Sequence, residues 1–233
     1  VMAKYAQTAA AVEKAVAGRF ISPKGGVWRI GEDTLKSNTI EAVVIGSIYE
    51  NTYYEGKYDP DNIESPACYA FGETEEGMKP HDEVEKPQHA ECEGCPQNKW
   101  PGKGKGAKPC QNRRRLALLL STGLTPESVL TDEVVYLKVP VTSVKNWALY
   151  VKALAALRNR PPFGVLTKIT VRPDPDTMIK ITFEPGNNVP EEVVPNLIKR
   201  VEAEKQMINF PYQKYDPESA ASEDAPATGG GKF

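Results

Sequence analysis

Hydrophobic and polar positions change their period several times along the chain, and each change marks an element. Lys4 to Val16 is alanine-rich and reads as a helix that stops at Gly18. The period then drops to two. Arg19–Ser22 and Val27–Ile30 read as short strands joined by Pro23-Lys24-Gly25-Gly26, a hairpin signal. Ile40 to Tyr54 is β-branched and aromatic, a long strand, and Ala67–Phe71 is another. Residues 72–111 show no hydrophobic period and are rich in Gly, Pro, Glu and Lys. Leu116–Ser121 and Glu133–Val139 resume the strand pattern. Thr142 or Ser143 is placed to cap a helix to about Arg158, with Val144, Trp147, Leu149, Val151, Leu154 and Leu157 largely on one face. Val165–Val171 and Met178–Phe183 alternate as a hairpin across Pro173-Asp174-Pro175-Asp176. Glu191 to about Ile208 is a closing helix with Pro195 near its first turn. Beyond Pro211 the Ala, Pro, Ser, Gly and acidic residues read as a disordered tail.

Three strands, a helix and two more strands follow one another in the order of the five-stranded OB barrel, which binds single strands across its face. The expected fold is therefore α+β, an OB-fold-like five-stranded barrel with a long insertion and flanking helices. Residues 1–39 form an N-terminal helix and hairpin, 40–210 an OB-like core with the insertion at about 72–111, and 211–233 the tail. So long a structureless stretch inside a compact domain needs something to organise it.

Composition changes this picture little. The 233 residues, 40% hydrophobic and 26% charged, suit one large soluble domain or one domain with appendages. Leu116 to Leu120, the longest aliphatic run, is far short of the roughly 20 residues of a membrane span. Residues 1–18 have no apolar core of the signal-peptide kind, so a reducing, cytoplasmic setting is expected.

Charge changes it more. The formal net charge of −2 conceals segregation. Residues 73–93 hold eight acids (Glu73, Glu75, Glu76, Asp82, Glu83, Glu85, Glu91, Glu93) and two lysines, whereas residues 94–126 hold seven bases and no acid. Such sorting points to a polyanion-binding face, against the plainer reading of a lopsided charged loop.

All four cysteines, Cys68, Cys92, Cys95 and Cys110, bracket or lie within the insertion. Cys92-Glu93-Gly94-Cys95 is a knuckle that aims two thiolates at one ion, and Cys68 and Cys110 can complete a tetrahedral, closed, structural Zn²⁺ site. His81 and His89 share the loop, and either can replace a cysteine. An iron–sulfur cluster takes the same ligands, and free or disulfide-bonded cysteines are the remaining readings. Zinc explains the insertion best, because metal would supply the order that burial cannot.

The basic block runs through Lys99, Trp100, Lys103, Lys105 and Lys108 to Arg113-Arg114-Arg115. It is not a P-loop, since GKGKGAKP lacks the GK[ST] ending. Spaced cations of this kind suit a phosphodiester backbone, with binding that falls steeply with salt. Tyr49, Tyr53, Tyr54, Tyr58, Tyr69 and Phe71 cluster upstream. Tyr69, Phe71 and Trp147 read as core, while Tyr53, Tyr54, Tyr58 and Trp100, in polar surroundings, are candidates both for stacking on unpaired bases and for packing.

The segments YDPDN, SPACYAFG, CEGCPQNKW and KPCQNRRRLALL, within about Tyr49 to Leu120, resemble bacteriophage single-stranded DNA-binding proteins that carry a cysteine-bound zinc inserted in an OB core. The resemblance implies a non-sequence-specific protein that protects single-stranded DNA in phage replication or recombination, in the host cytoplasm. It also implies that Phe233, after Asp216, Glu218, Glu223 and Asp224, docks replication or recombination partners.

Catalysis has little support. Both histidines lie in the cysteine loop, and Asp59 and Asp61 sit in a turn-forming context. No (D/E)xK follows Pro173-Asp174-Pro175-Asp176 on the next strand, which reads TMIKITF. A non-enzymatic binding protein is the first expectation. A zinc-containing regulator of a protein partner and a nucleic-acid enzyme such as a nuclease are the alternatives.

Overall fold

The computed structural model describes residues 19–31, 33–56, 65–102, 106–120 and 123–212. The expected helix at Lys4–Val16, Tyr58, Lys103, Lys105 and the tail from residue 213 to Phe233 lie outside them, whereas Pro211 and Tyr212, also assigned to the tail, are described. The fold is mixed α/β: a nine-stranded sheet with three α-helices among the described residues.

The strands are β1 (Arg19–Lys24), β2 (Val27–Ile30), β3 (Asp33–Thr34), β4 (Thr39–Tyr53), β5 (Cys68–Gly72), β6 (Gln111–Leu119), β7 (Val134–Val139), β8 (Val165–Asp174) and β9 (Met178–Asn188). The helices are α1 (Pro126–Thr131), α2 (Val141–Arg158) and α3 (Val194–Met207). Along the sheet the order is β3-β2-β1-β7-β6-β4-β8-β9, with β5 added to β4. The β1–β2 hairpin forms as the pattern predicts: Gly25 and Gly26, at φ of 62° and 80°, take the two left-handed positions of a tight turn.

The sheet is buried on both faces, which is why Ala42 to Ile45 reads as an unbroken apolar run. Against one face α2 packs Trp147, Tyr150 and Leu154 onto Val44, Leu116, Leu118 and Leu137. Against the other, α1 and α3 bring Val129 and Leu197, with Ile208 just beyond, onto Val43, Ile45, Ala117, Leu119 and Tyr136.

Three strands, a helix and two strands, β4-β6-β7-α2-β8-β9, are present in the expected order. The outer edge of β7 carries β1 in parallel, however, and no pairing between β7 and β9 closes the sheet among the described residues.

Other local expectations are corrected. Strand β6 begins at Gln111 rather than Leu116, so Arg113-Arg114-Arg115 is strand and not loop. Helix α2 follows Pro140 with no side-chain cap. Ser143 is buried and its Oγ accepts from the Ile181 N–H at 2.9 Å. Leu149 and Leu157, expected on the core face, are 55% and 83% exposed.

Candidate metal pocket and nucleic-acid face

The outer part of β4 is flanked by β5 and β6, with Tyr49–Tyr53 opposite Gly72–Cys68 and Thr52–Ile48 opposite Gln111–Arg115. Side chains alternate across this three-stranded patch. Tyr49, Asn51, Tyr53, Cys68, Asn112 and Arg114 share one face, and Glu50, Thr52, Tyr69, Phe71, Arg113 and Arg115 the other.

The insertion folds over the first face. His81 N–H donates to the Tyr69 carbonyl (2.9 Å), Cys92 N–H to Met78 (2.8 Å), Asn98 N–H to Cys95 (3.0 Å) and Cys110 N–H to Gln97 (2.8 Å). Gly94, at φ 81°, supplies the left-handed position that the Cys92–Cys95 knuckle requires. Met78 is buried beneath Gly72, where a Cβ would lie 2.6 Å from Met78 Cγ.

These contacts bring Cys68, Cys92, Cys95 and Cys110 to one cavity of about 20 Å³, lined also by Asn51, Tyr53 and His89. That volume suits a single atom-sized occupant. Burial pushes the Cys110 thiol up to about 12, with Cys92, Cys95 and Cys68 adding and Lys108 opposing. Cys68 and Cys92 are raised as well, again first by burial. A divalent cation reverses this balance, because a coordinating thiol is deprotonated outright. Among the described residues no three Cys, His, Asp or Glu side chains already form an ion cage, so the case for metal rests on the shared cavity and its thiol donors. Those donors fit zinc. His89 borders the cavity, whereas His81 stacks on Tyr69 at 5.2 Å and lies away from it.

A polar network adjoins the cavity. Lys108 Nζ donates to Asn98 Oδ1 (2.9 Å) and to Asn112 Oδ1, Asn112 Nδ2 donates to Asn51 and Asn98, and Asn98 Nδ2 to the Cys92 carbonyl (3.0 Å). Lys108 is thus fixed beside the thiols rather than free in solution. On the same face Arg114 lies over the Tyr49 ring at 3.3 Å, and burial lowers its pKa. Lys99 is exposed, and Trp100 is 72% exposed.

The opposite face is different. Arg115 is fully buried, with Nε and Nη2 donating to the buried Glu50 carboxylate at 3.1 and 3.0 Å. Its Nη1 donates to the Ile208 and Phe210 carbonyls, each at 3.0 Å. Phe71 and Phe210 cover the guanidinium, each ring 4.3 Å away. Burial alone would raise the Glu50 carboxyl, but Arg115 outweighs it, with Lys138 and Tyr212 assisting, and the group stays below its ordinary range. Tyr212 donates to Glu50, tying the end of the described chain to this cluster. Burial lowers Lys138 to about 8, against the pull of Glu50 and with the help of Arg115 and Arg113.

The residues expected to meet nucleic acid are therefore divided. Lys99, Trp100, Lys108, Arg114 and Tyr53 lie on the cysteine side. Arg113 and Arg115 lie on the side of the chain end, where Tyr54 is close enough to Arg113 to feel its charge. Arg115 is withdrawn from solvent, and the reading of it as a phosphate contact is corrected. Glu50, Lys138 and Tyr212 were missed; Glu50 looked like one acid among many. No protein-family model matches the chain, and neither the curated proteins nor the solved structures contain a match.

Proposed function

We propose that the chain is a zinc-stabilised single-stranded DNA-binding protein of the kind its central segment resembles, protecting single strands during phage replication or recombination in the host cytoplasm. The observation that carries this reading is the convergence of four cysteines on one cavity in the segment that presents Lys99 and Trp100. Zinc would hold Cys68, Cys92, Cys95 and Cys110 together and give that segment a fixed shape. Exposed Trp100 and the Arg114–Tyr49 pair then offer surfaces on which bases stack, and Lys99 offers a phosphate contact. The strand order β7-β6-β4-β8-β9, with α2 between β7 and β8, supports an OB-type core. The acidic residues beyond Tyr212 would compete with DNA for the basic face or, with Phe233, recruit replication proteins.

Fluorescence-monitored titration with oligo-dT and with duplex of equal length, at two salt concentrations, tests the reading. Selective, salt-sensitive binding to oligo-dT is expected, together with uniform weakening across sequences in Lys99→Ala and Trp100→Ala. Absence of binding to either oligonucleotide favours a protein-binding regulator, and magnesium-dependent cleavage favours a nuclease.

A further inference from the structure

Lys108 begins a chain of hydrogen bonds that ends on a cysteine. An ammonium can only donate, whereas an asparagine amide has an accepting oxygen and a donating nitrogen that exchange places by a half-turn. Lys108 therefore decides which way the amides beside it point. Its Nζ donates to Asn98 Oδ1 at 2.9 Å and to Asn112 Oδ1. With its oxygen engaged, Asn112 turns Nδ2 towards Asn51 Oδ1 and Asn98 Oδ1. Asn51, only 7% exposed, is then left with Nδ2, which lies 4.0 Å from Met78 Sδ and hydrogen-bonds the Cys92 side chain. A second branch ends on the same residue, where Asn98 Nδ2 donates to the Cys92 carbonyl at 3.0 Å.

Every link is anchored beside a cysteine. Asn98 closes the 3₁₀ turn Pro96–Asn98, and its N–H donates to the Cys95 carbonyl at 3.0 Å. Lys108 and Asn112 flank Cys110. Asn51 lies opposite Asn112 across β4 and β6. Glu75, Glu76 and Glu93 share a pocket with Lys108, yet the hydrogen bonds that hold its Nζ go to amide oxygens and not to these carboxylates.

We propose that Lys108 is a positioning residue of the metal centre: it sets the polarity of the Asn112–Asn51 chain so that a donor faces Cys92, and so selects zinc held by all four cysteines over a set in which His89 replaces one. This rests on the zinc reading given above. Four thiolates overbalance a dication by two charges, and three thiolates with a neutral imidazole by one. A fixed ammonium and an N–H aimed at sulfur favour the more negative set. Lys108 is thereby spent on the metal site and is not a phosphate contact.

The test uses the full chain. Zinc affinity is measured by competition against a chelator, and the ligand set is read from thiolate-to-metal charge transfer in the cobalt-substituted protein. Lys108→Met is expected to weaken zinc by about 10–100-fold and to lower the charge-transfer intensity per cobalt, as His89 takes the place of a thiolate. Lys108→Arg, whose side chain also can only donate, should lie closer to the native chain. Asn51→Leu removes the last donor and should weaken zinc too. The double variant Lys108→Met/Asn51→Leu should lose less than the product of the two single losses, because both act on one chain of bonds. A native chain that binds no zinc overturns the zinc reading and the proposal with it. Zinc bound by the native chain, with affinity and cobalt spectrum unchanged in Lys108→Met, overturns the proposal alone, as do losses that multiply in full. So does a Lys108→Met protein that keeps its zinc affinity but binds oligo-dT more weakly and with a shallower salt slope, which would return Lys108 to the phosphate contacts.

Discussion

Arg113, Arg114 and Arg115 are adjacent in sequence and face three different environments. In a strand, neighbours point to opposite faces. Arg114 comes to the cysteine side over Tyr49, and Arg115 is sealed against Glu50. Arg113 shares the Arg115 face, where its guanidinium donates to Gln111 and its buried Nε has no hydrogen-bond partner. Removing one partner of a buried pair strands the other charge, so Arg115→Ala should cost about 3–5 kcal/mol in urea denaturation. Arg114→Ala should weaken oligo-dT binding with a much smaller loss of stability, because it breaks no buried ion pair.

Lys138 yields a second residue-scale test. In the unfolded chain a lysine holds its proton to about pH 10.4; in the fold it begins to release it near 8. Between those values the unfolded state binds more protons, so stability rises with pH. The melting temperature should climb from pH 8 towards the onset of tyrosine ionisation near 10. In Lys138→Met that climb should disappear and stability at pH 7 should increase, both read from thermal melts. A variant that melts lower at pH 7 would show that the pull of Glu50 outweighs burial.

At the scale of elements, the cysteine loop has a thin apolar base: among its residues 73–110, Met78, Val84, Cys95 and Cys110 are the buried apolar side chains described. The loop should therefore depend on metal. Elemental analysis is expected to find one zinc per chain, and a chelator should open residues 73–110 to protease. Cys95→Ser and Cys110→Ser should do the same without chelator. An iron–sulfur cluster would announce itself by visible absorption, and metal-free protein with unchanged protease sensitivity would sink the zinc assignment.

The elements that sequence reading missed are the small ones. Strand β3 has two residues and α1 six, with only Val129 buried, too short for any period to declare itself. The capping box of Thr125 and Ser128 was the signal that marks α1. The true start of β6 was hidden because Gln111 to Arg115 are all polar and show no apolar alternation, although they pair with Thr52 to Ile48 of β4.

For the molecule as a whole, the three-stranded patch at the outer end of β4 separates two chemistries. One face supports the thiol cavity and its asparagine–lysine network. The other holds Glu50, Arg115, Lys138 and the residues where the described chain ends. No helix among the described residues is long and apolar enough to cross a membrane. The near-neutral net charge is thus an average over segments of opposite sign, and the fold brings Glu75, Glu76 and Glu93 to the same pocket as Lys108; salt dependence of binding should follow Lys99 and Arg114 on the cysteine face.

The sequence by itself determined the long strands, the β1–β2 turn, helices α2 and α3 and the membership of the cysteine cluster. Each of these rests on local information: period, turn residues, or a ligand type too rare to scatter. Only the tertiary structure decided which cations remain accessible, where the sheet stays open, and that Glu50 pairs with Arg115 across 65 residues of chain. Those outcomes depend on which strands become neighbours, a choice made by burial summed over both faces of the sheet rather than by any single segment.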